Sequence, residues 1–388
     1  MKKKTKLIVA SLIGLLLLPF WMWIAWLLTP RKKLVVAIID KTEISQDGQE
    51  HVSLNWVLNH ERFTKTGSDP YRVSSDYFGF FPLQKESFRL KGLERFTDQQ
   101  INQLSNDCSV AYFTDTYGVF SNEWYSGKNN GDRSSIVYGG MSQQDIWLLT
   151  KMKQKHKLIL TEFNSIGSPT SPEIRSQFEN LFALKWSGWT GRFFESLDTG
   201  LNKELPRWLI RNYKAQNNNQ WPFTKAGIAF VSEKDEVVVL EDKTQLQDPL
   251  PHIITDAAAQ SAYQLPQKIK YSFWFDIMNC DSALNQTPAH FTIDANKAGQ
   301  QLLAAHHIPS VFPAIIKHAG TDYNFYYFCA DFSDNPVTLT SSYFNGVPLF
   351  KSFFYNEEEA MERKSFFWKY YRPLLTALLH ENYQHSMH

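Results

Sequence analysis

A chain of 388 residues with 40 Lys/Arg, 39 Asp/Glu and a formal charge of +1 offers no clustered basic face, which speaks against a nucleic-acid partner. The balance hides an asymmetry. Residues 1–33 hold seven Lys/Arg and no acid, which leaves 33 Lys/Arg against 39 Asp/Glu, a net of −6, for residues 34–388. Cys108, Cys280 and Cys329 form no C-x-x-C pair, and Cys108 and Cys329 lie in or beside apolar runs, the setting of buried free thiols.

The first predicted element is the run Leu7 to Leu28, LIVASLIGLLLLPFWMWIAWLL, which contains no ionisable residue. At about 1.5 Å per helical residue it reaches roughly 33 Å, enough for a bilayer core, and so predicts one transmembrane helix. Lys2, Lys3, Lys4 and Lys6 precede it and Trp21, Trp23 and Trp26 crowd its far end. That polarity predicts a cytoplasmic N-terminus and an extracytoplasmic body, although Arg31, Lys32 and Lys33 nearly balance the leading lysines. Pro19 predicts a kink in mid-span. A cleaved signal peptide is the alternative, but the run is long for one and no small-x-small site follows it. The expected organisation is a cytoplasmic tail, anchor and basic flank over 1–33, in the cell membrane, and a single large α/β domain over 34–388.

Five apolar, β-rich runs follow: Leu34–Ile39, Ser109–Thr114, Lys157–Thr161, Lys270–Phe275 and Asn324–Ala330. Amphipathic helical patterns border them at Ser142–Lys155, with Ser142 as N-cap, at Ser171–Leu184, with Pro172 in the first turn, and at Asp294–His307. This alternation predicts an α/β fold with a mostly parallel, helix-flanked sheet. Gly227–Phe230 and Glu236–Leu240, turning at Glu233-Lys234-Asp235, predict a small antiparallel excursion. The stretch Glu357–Tyr383 reads as a helix whose stripe of Phe366, Phe367, Trp368, Tyr370 and Tyr371 is core filler, with a second membrane contact as the alternative.

In open α/β sheets, ligands bind beyond the carboxyl ends of the strands, and the sequence places an acid there five times. Asp40, Asp115, Glu162, Asp276 and Asp331 each close one apolar run. Asp115, Glu162 and Asp276 are the candidate catalytic groups, because a pair of carboxylates in unlike environments is the economical device for hydrolysis. Asp and Glu at strand ends also cap turns, which is the competing explanation for each of them. Tyr117, in the polar and aromatic loop after Asp115, and Asn164, beside Glu162, are candidate ligand contacts, together with Asp331. So are Trp186, Trp189 and Arg192 on the Gly-punctuated segment Trp186-Ser187-Gly188-Trp189-Thr190-Gly191-Arg192, where two indoles and a guanidinium would clasp a sugar ring or a carboxylate. A buried Trp pair under a tight turn explains that segment equally well.

No G-x-S-x-G elbow, Walker A, H-E-x-x-H, G-x-G-x-x-G or papain-like cysteine motif is present, so no cofactor is expected. The adjacent His306 and His307 and the tail residues His380, His385 and His388 read as structural or solvated, and no metal is expected.

The order of these pieces resembles the class I glutamine amidotransferase-like superfamily, in the broad sense that includes trehalose-utilisation-protein-type domains. The likeness rests on Cys108 to Asp115, on Lys157 to Ser165, where the family places its nucleophile, and on Asn324 to Asp331. The resemblance implies a Cys at the second of these, with a downstream His and Glu. This chain has Glu162-Phe163-Asn164-Ser165 there, so amidotransferase chemistry is not expected.

The sequence therefore predicts a membrane-anchored, envelope-facing domain that binds or processes a carbohydrate-like or cell-wall ligand, if catalytic then a glycan-directed hydrolase. The rival is a non-catalytic assembly module whose acids are structural caps. A barrel glycosidase is a weaker third reading, since eight strand–helix units are hard to count.

Overall fold

The computed structural model describes residues 14, 16–125 and 131–386. Residues 7–13 and 15 of the expected span Leu7–Leu28 lie outside them. The described remainder is helix α1 (Leu18–Leu28), 11 residues long. Among the described residues no helix is long and apolar enough to cross a membrane, which corrects the expected single-pass anchor, its membrane partner and the extracytoplasmic placement. Pro19 stands in the first turn of α1, where its missing N–H breaks no helical bond. Trp26, expected to sit at a membrane interface, packs on the body instead. Its indole N–H donates to the Asn59 carbonyl at 3.0 Å, and the Arg62 guanidinium lies 4.1 Å from its ring.

Two large sheets make up most of the body, beside two two-stranded ribbons. In chain order their strands are β1 (Val36–Asp40), β2 (Phe78–Pro82), β3 (Phe88–Leu90), β4 (Val110–Asp115), β5 (Leu158–Glu162), β6 (Leu184–Phe194) and β7 (Gly227–Ser232). They continue as β8 (Val237–Glu241), β9 (His252–Thr255), β10 (Lys268–Lys270), β11 (Phe275–Cys280), β12 (Asn285–Thr292), β13 (Val311–His318) and β14 (Asn324–Phe328). The helices used below are α2 (Val52–His60), α3 (Asp98–Asp107), α4 (Gln143–Gln154), α5 (Pro172–Phe182) and α6 (Arg372–His385).

The larger sheet has ten strands in the order β10-β9-β12-β13-β14-β5-β4-β1-β2-β3. Its centre, β14-β5-β4-β1-β2, is parallel throughout, with Val110 opposite both Val36 and Leu158. The five outer pairings are antiparallel, which corrects the expectation of a mostly parallel sheet. The difference has a local cause. β1, β4 and β5 are buried at every position, as parallel strands covered on both faces must be, whereas β12 and β13 mix buried and partly exposed positions.

One face of the large sheet packs Val36, Ile38, Tyr112, Leu160 and Tyr326 against α2 and α6; the other packs Ala37, Ile39, Ala111, Phe113 and Ile159 against α3, α4 and α5. Thr97 with Gln100 and Ser142 with Asp145 form reciprocal caps on α3 and α4, and Ser171 caps α5 with Pro172 following, so all three helices start where free N–H groups find acceptors. The C-terminal stripe Phe366, Phe367, Trp368, Tyr370 and Tyr371 is buried in the first of these cores.

The hairpin β7–β8 is not a minor excursion. It belongs to a four-stranded antiparallel sheet, β8-β7-β6-β11. The expected strand Lys270–Phe275 is in fact the gap between β10 and β11, so Asp276 is the second residue of a strand rather than the residue after one.

Candidate functional site

The parallel centre sets Asp40, Asp115 and Glu162 at the carboxyl ends of β1, β4 and β5, and brings Asp331 to the same rim three residues after β14. A register shift at the end of β1 places Asp40 opposite Asp115.

Asp115 is the best-connected group at the opening. Its Oδ1 accepts from the Thr42 hydroxyl at 2.7 Å and from the Tyr117 N–H at 2.5 Å, and the Asn164 side-chain amide lies 3.5 Å from Oδ2. Burial pushes this carboxyl up to about 7, against the pull of the Thr42 and Tyr117 hydrogen bonds, and the Asp40 charge adds to the rise. Asp115 itself is 5% exposed, but Thr42, Glu50, Tyr117, Asn164 and Asp331 are all partly open to solvent. The sequence thus supplied Asp115, Tyr117 and Asn164, and the fold places them in one hydrogen-bonded group.

Glu162 faces elsewhere. Its Oε2 accepts from the N–H groups of Phe332 and Ser333 at 2.9 and 3.0 Å and from the Ser333 hydroxyl at 3.1 Å, while Oε1 accepts from Tyr112. Burial drives its pKa well above the carboxylate range, opposed by the Tyr112 and Ser333 hydrogen bonds. None of these partners is shared with Asp115, and Glu162 has no solvent exposure. The two acids diverge just past the last paired residues of β4 and β5, Phe113 and Thr161.

Asp276 lies behind the Asn164 turn. Its Oδ2 accepts from Tyr327 at 2.7 Å. Burial pushes it up to about 7, with Tyr327 and the Asn164 backbone pulling the other way. Asn164 adopts a left-handed conformation (φ 62°), which Asn tolerates better than most residues, and so touches both acids: Asp115 with its side chain, Asp276 through its backbone.

Asp331 shares its neighbourhood with Glu50, Asp334 and Arg363. The guanidinium lies 2.5 Å from Asp334 Oδ2 and 3.5 Å from Asp331 Oδ2. Loss of solvent, and then the Asp334 charge, hold both Glu50 and Asp331 well above the usual carboxylate range. Each also feels the charge of Asp115.

Among the described residues, two groups gather three ligand-type atoms within 4.8 Å of one another: Asp40, Glu43 and His51, and Glu50, Asp331 and Asp334. The first is poorly suited to a metal, because both ring nitrogens of His51 face acceptors, Asp40 Oδ2 at 2.5 Å and the Val73 carbonyl at 2.8 Å. A ring donating from both nitrogens is an imidazolium with no lone pair to give. Burial opposes that charge, but the Asp40 hydrogen bond and charge outweigh it and the pKa is raised. In the second group Arg363 already supplies the positive charge.

Trp186, Trp189 and Arg192 lie on strand β6, not on a loop. A bulge between Trp186 and Thr190, with Gly188 at φ 86°, turns Trp186 into one core and Trp189 into the other. Each indole is 7% exposed. Arg192 pairs with Glu204 at 2.6 Å and stacks near Phe194 and Trp274, away from the two tryptophans.

Glu43, Glu50, His51, Asp334 and Arg363 escape sequence reasoning because they occupy loops and irregular segments with no periodicity. The one available signal was the charged run Asp40-Lys41-Thr42-Glu43 directly after a wholly apolar strand.

No protein-family model and no curated protein matches the chain. Similar solved structures include a ThuA-like protein from Parabacteroides merdae, 9% identical over 77% of this chain and 79% of that one, with a TM-score of 0.36. A ThuA-like protein from Bacteroides uniformis is 7% identical over 80% and 87%, with a TM-score of 0.33. The carbohydrate deacetylase Agd3 is 9% identical over 77% of this chain but 29% of its own length, with a TM-score of 0.32. ThuA-like proteins are the type named by the resemblance in the sequence; at these identities and TM-scores no residue role or activity passes to this chain.

Proposed function

We propose that the α/β body is a carbohydrate-binding or carbohydrate-processing domain whose ligand is held at the carboxyl rim of β1, β4 and β5, with Asp115 as the central group. The supporting observation is a carboxyl that titrates near 7, bonded to Thr42 and Tyr117 and ringed by partly exposed polar side chains. Sugars present dense hydroxyl donors and acceptors around a partly apolar ring. Carboxylates and an amide satisfy the first, and the ring faces of Tyr117 and Phe120, 4.8 Å apart, suit the second. An acid with a pKa near the working pH is also suited to proton transfer, so Asp115 is the group that would carry chemistry if turnover occurs.

Glu162 is not its partner in this reading, because it is enclosed and fully bonded. For that residue the structural-cap alternative is favoured, on the observation that four donors converge on it. Asp276 stands as a reserve acid behind Asn164.

The test is a glycan-array and calorimetric screen of the chain against neutral and acidic oligosaccharides, repeated with Asp115→Asn. Specific binding that falls at least tenfold in Asp115→Asn, and in the native protein changes across pH 6–8, is the expected outcome (roughly 1.4 kcal/mol per tenfold). Equal binding by both proteins, or no glycan bound by the native chain, overturns it.

A further inference from the structure

Beside the rim, the loop after β1, the turn joining β2 to β3 and Trp124 line an open cleft of about 400 Å³. Ile44 and Leu83 offer apolar surface, 50% and 49% exposed, Trp124 an indole, Ser45, Gln46 and Gln84 neutral polar groups, and Glu86 a carboxylate. That mixture of one aromatic plate, aliphatic edges and hydrogen-bonding side chains, one of them a carboxylate, suits a pyranose ring and its hydroxyls.

The walls are pre-set. Gln46 Nε2 donates to the Pro82 carbonyl at 3.2 Å, tying the two loops together. The Trp124 N–H donates to the Glu86 carbonyl at 2.9 Å, and its ring meets Phe80 and Phe88 in edge-to-face contacts. Glu86 belongs to a tight turn, closed by Ser87 N–H to the Gln84 carbonyl at 3.3 Å, in which Lys85 and Glu86 are both left-handed (φ 55° and 56°). Such a turn normally selects Asn-Gly. Two side-chain-bearing residues kept in that conformation are strained, and strain of this kind concentrates where a ligand or clamp fixes the backbone. Here it sets the carbonyl that orients the indole.

The cleft adjoins the Asp115 group. Thr42, which bonds Asp115, is two residues from Ile44, a span of at most about 7 Å. Trp124 is seven residues after Tyr117, at the end of the short helix Ser121–Trp124.

We infer that this cleft is a second sugar subsite, stacking on Trp124, so that the natural ligand is a linear oligosaccharide of at least two units rather than a monosaccharide. The inference rests on the proposed rim site and extends it.

The experiment titrates the whole chain with β-1,4-linked glucose and N-acetylglucosamine series of one to four units. Affinity should rise roughly tenfold between the monomer and the trimer, the gain expected of one added stacking contact with its hydrogen bonds. Trp124→Ala should abolish that gain while leaving monosaccharide affinity unchanged, and Gln84→Ala, an exposed position that spares the fold, should reduce it two- to threefold. Asp115→Asn should weaken every length alike. Length-independent affinity in the native chain, or an undiminished gain in both Trp124→Ala and Gln84→Ala, overturns the second subsite and leaves the rim reading intact. Absence of binding to either series by the native chain overturns this ligand class for the cleft, and loss of the length gain in Asp115→Asn alone places the second contact at the rim instead.

Discussion

The Thr42 hydroxyl donates to Asp115 Oδ1 at 2.7 Å and accepts the Gly118 N–H at 2.9 Å. One side chain therefore ties the loop after β1 to the loop after β4 and stabilises the charged form of the acid between them. Thr42→Val keeps the shape and removes the donor. A lost hydrogen bond to a carboxylate is worth about 1.5 kcal/mol or more, so the Asp115 midpoint should rise from about 7 by roughly one pH unit. Carboxyl-carbon NMR titration reads this directly, and an unmoved midpoint would show that the contact does not govern the acid.

Glu162 makes the opposite prediction. Glu162→Ala orphans the Phe332 and Ser333 N–H groups and the Tyr112 hydroxyl in the core and should destabilise the fold by about 3 kcal/mol or more. Glu162→Gln preserves an acceptor for the two amides and should lose only about 1 kcal/mol. Neither should alter glycan affinity measured per folded molecule. Loss of binding in a fully folded Glu162→Gln would return this residue to the site.

Stability should fall as pH rises toward and past neutrality. Asp115 and Asp276 are pushed up to about 7 and Glu43 to about 8, whereas the unfolded chain releases these protons near pH 4. Raised acids stabilise fully below the unfolded value and lose that contribution as pH climbs through the folded one. His51, raised above 6.5 chiefly by Asp40 against its burial, works in the same direction, because its charge is lost on going alkaline. Asp276→Asn mimics the protonated acid, keeping an acceptor for Tyr327, and should be more stable than the native chain at pH 8 by up to about 4 kcal/mol. Urea denaturation at pH 5 and pH 8 checks this; identical pH slopes for the two proteins would refute it.

Lys41, fully buried, holds Glu94 at 2.5 Å, Asp145 at 2.6 Å and the Gly140 carbonyl at 2.9 Å, joining the end of β1 to the cap of α4. Lys41→Met leaves two carboxylates without a cation, and for a buried pair that costs about 3–5 kcal/mol. Adding Asp145→Asn should recover part of the loss, and a double-mutant cycle that returns no coupling between the two positions would contradict the triad.

Much of the scaffold around the rim was legible in the chain. The wholly apolar runs that became β1, β4 and β5, the acids that close them, and the Ser142 and Ser171 caps are local signals, readable from neighbours within a turn or a strand. The aromatic stripe before α6 was legible as core for the same reason. The Trp186–Arg192 segment misled because a bulged strand and a loop share the same glycine punctuation, and the apolar run at α1 misled because hydropathy alone does not report that Trp26 has a partner at Asn59.

The sequence by itself determined where buried strands end in acids and where helices begin, since both depend on residues a few positions apart. Only the tertiary structure decided that Asp115 bonds Thr42 and Tyr117 while Glu162 closes on Phe332 and Ser333, 170 and 171 residues away. The same holds for the antiparallel flanks of the sheet. Strand direction, side-chain facing and the identity of a distant donor arise from contacts between segments that have no local signature, and a shift of one residue in register turns a side chain to the other face.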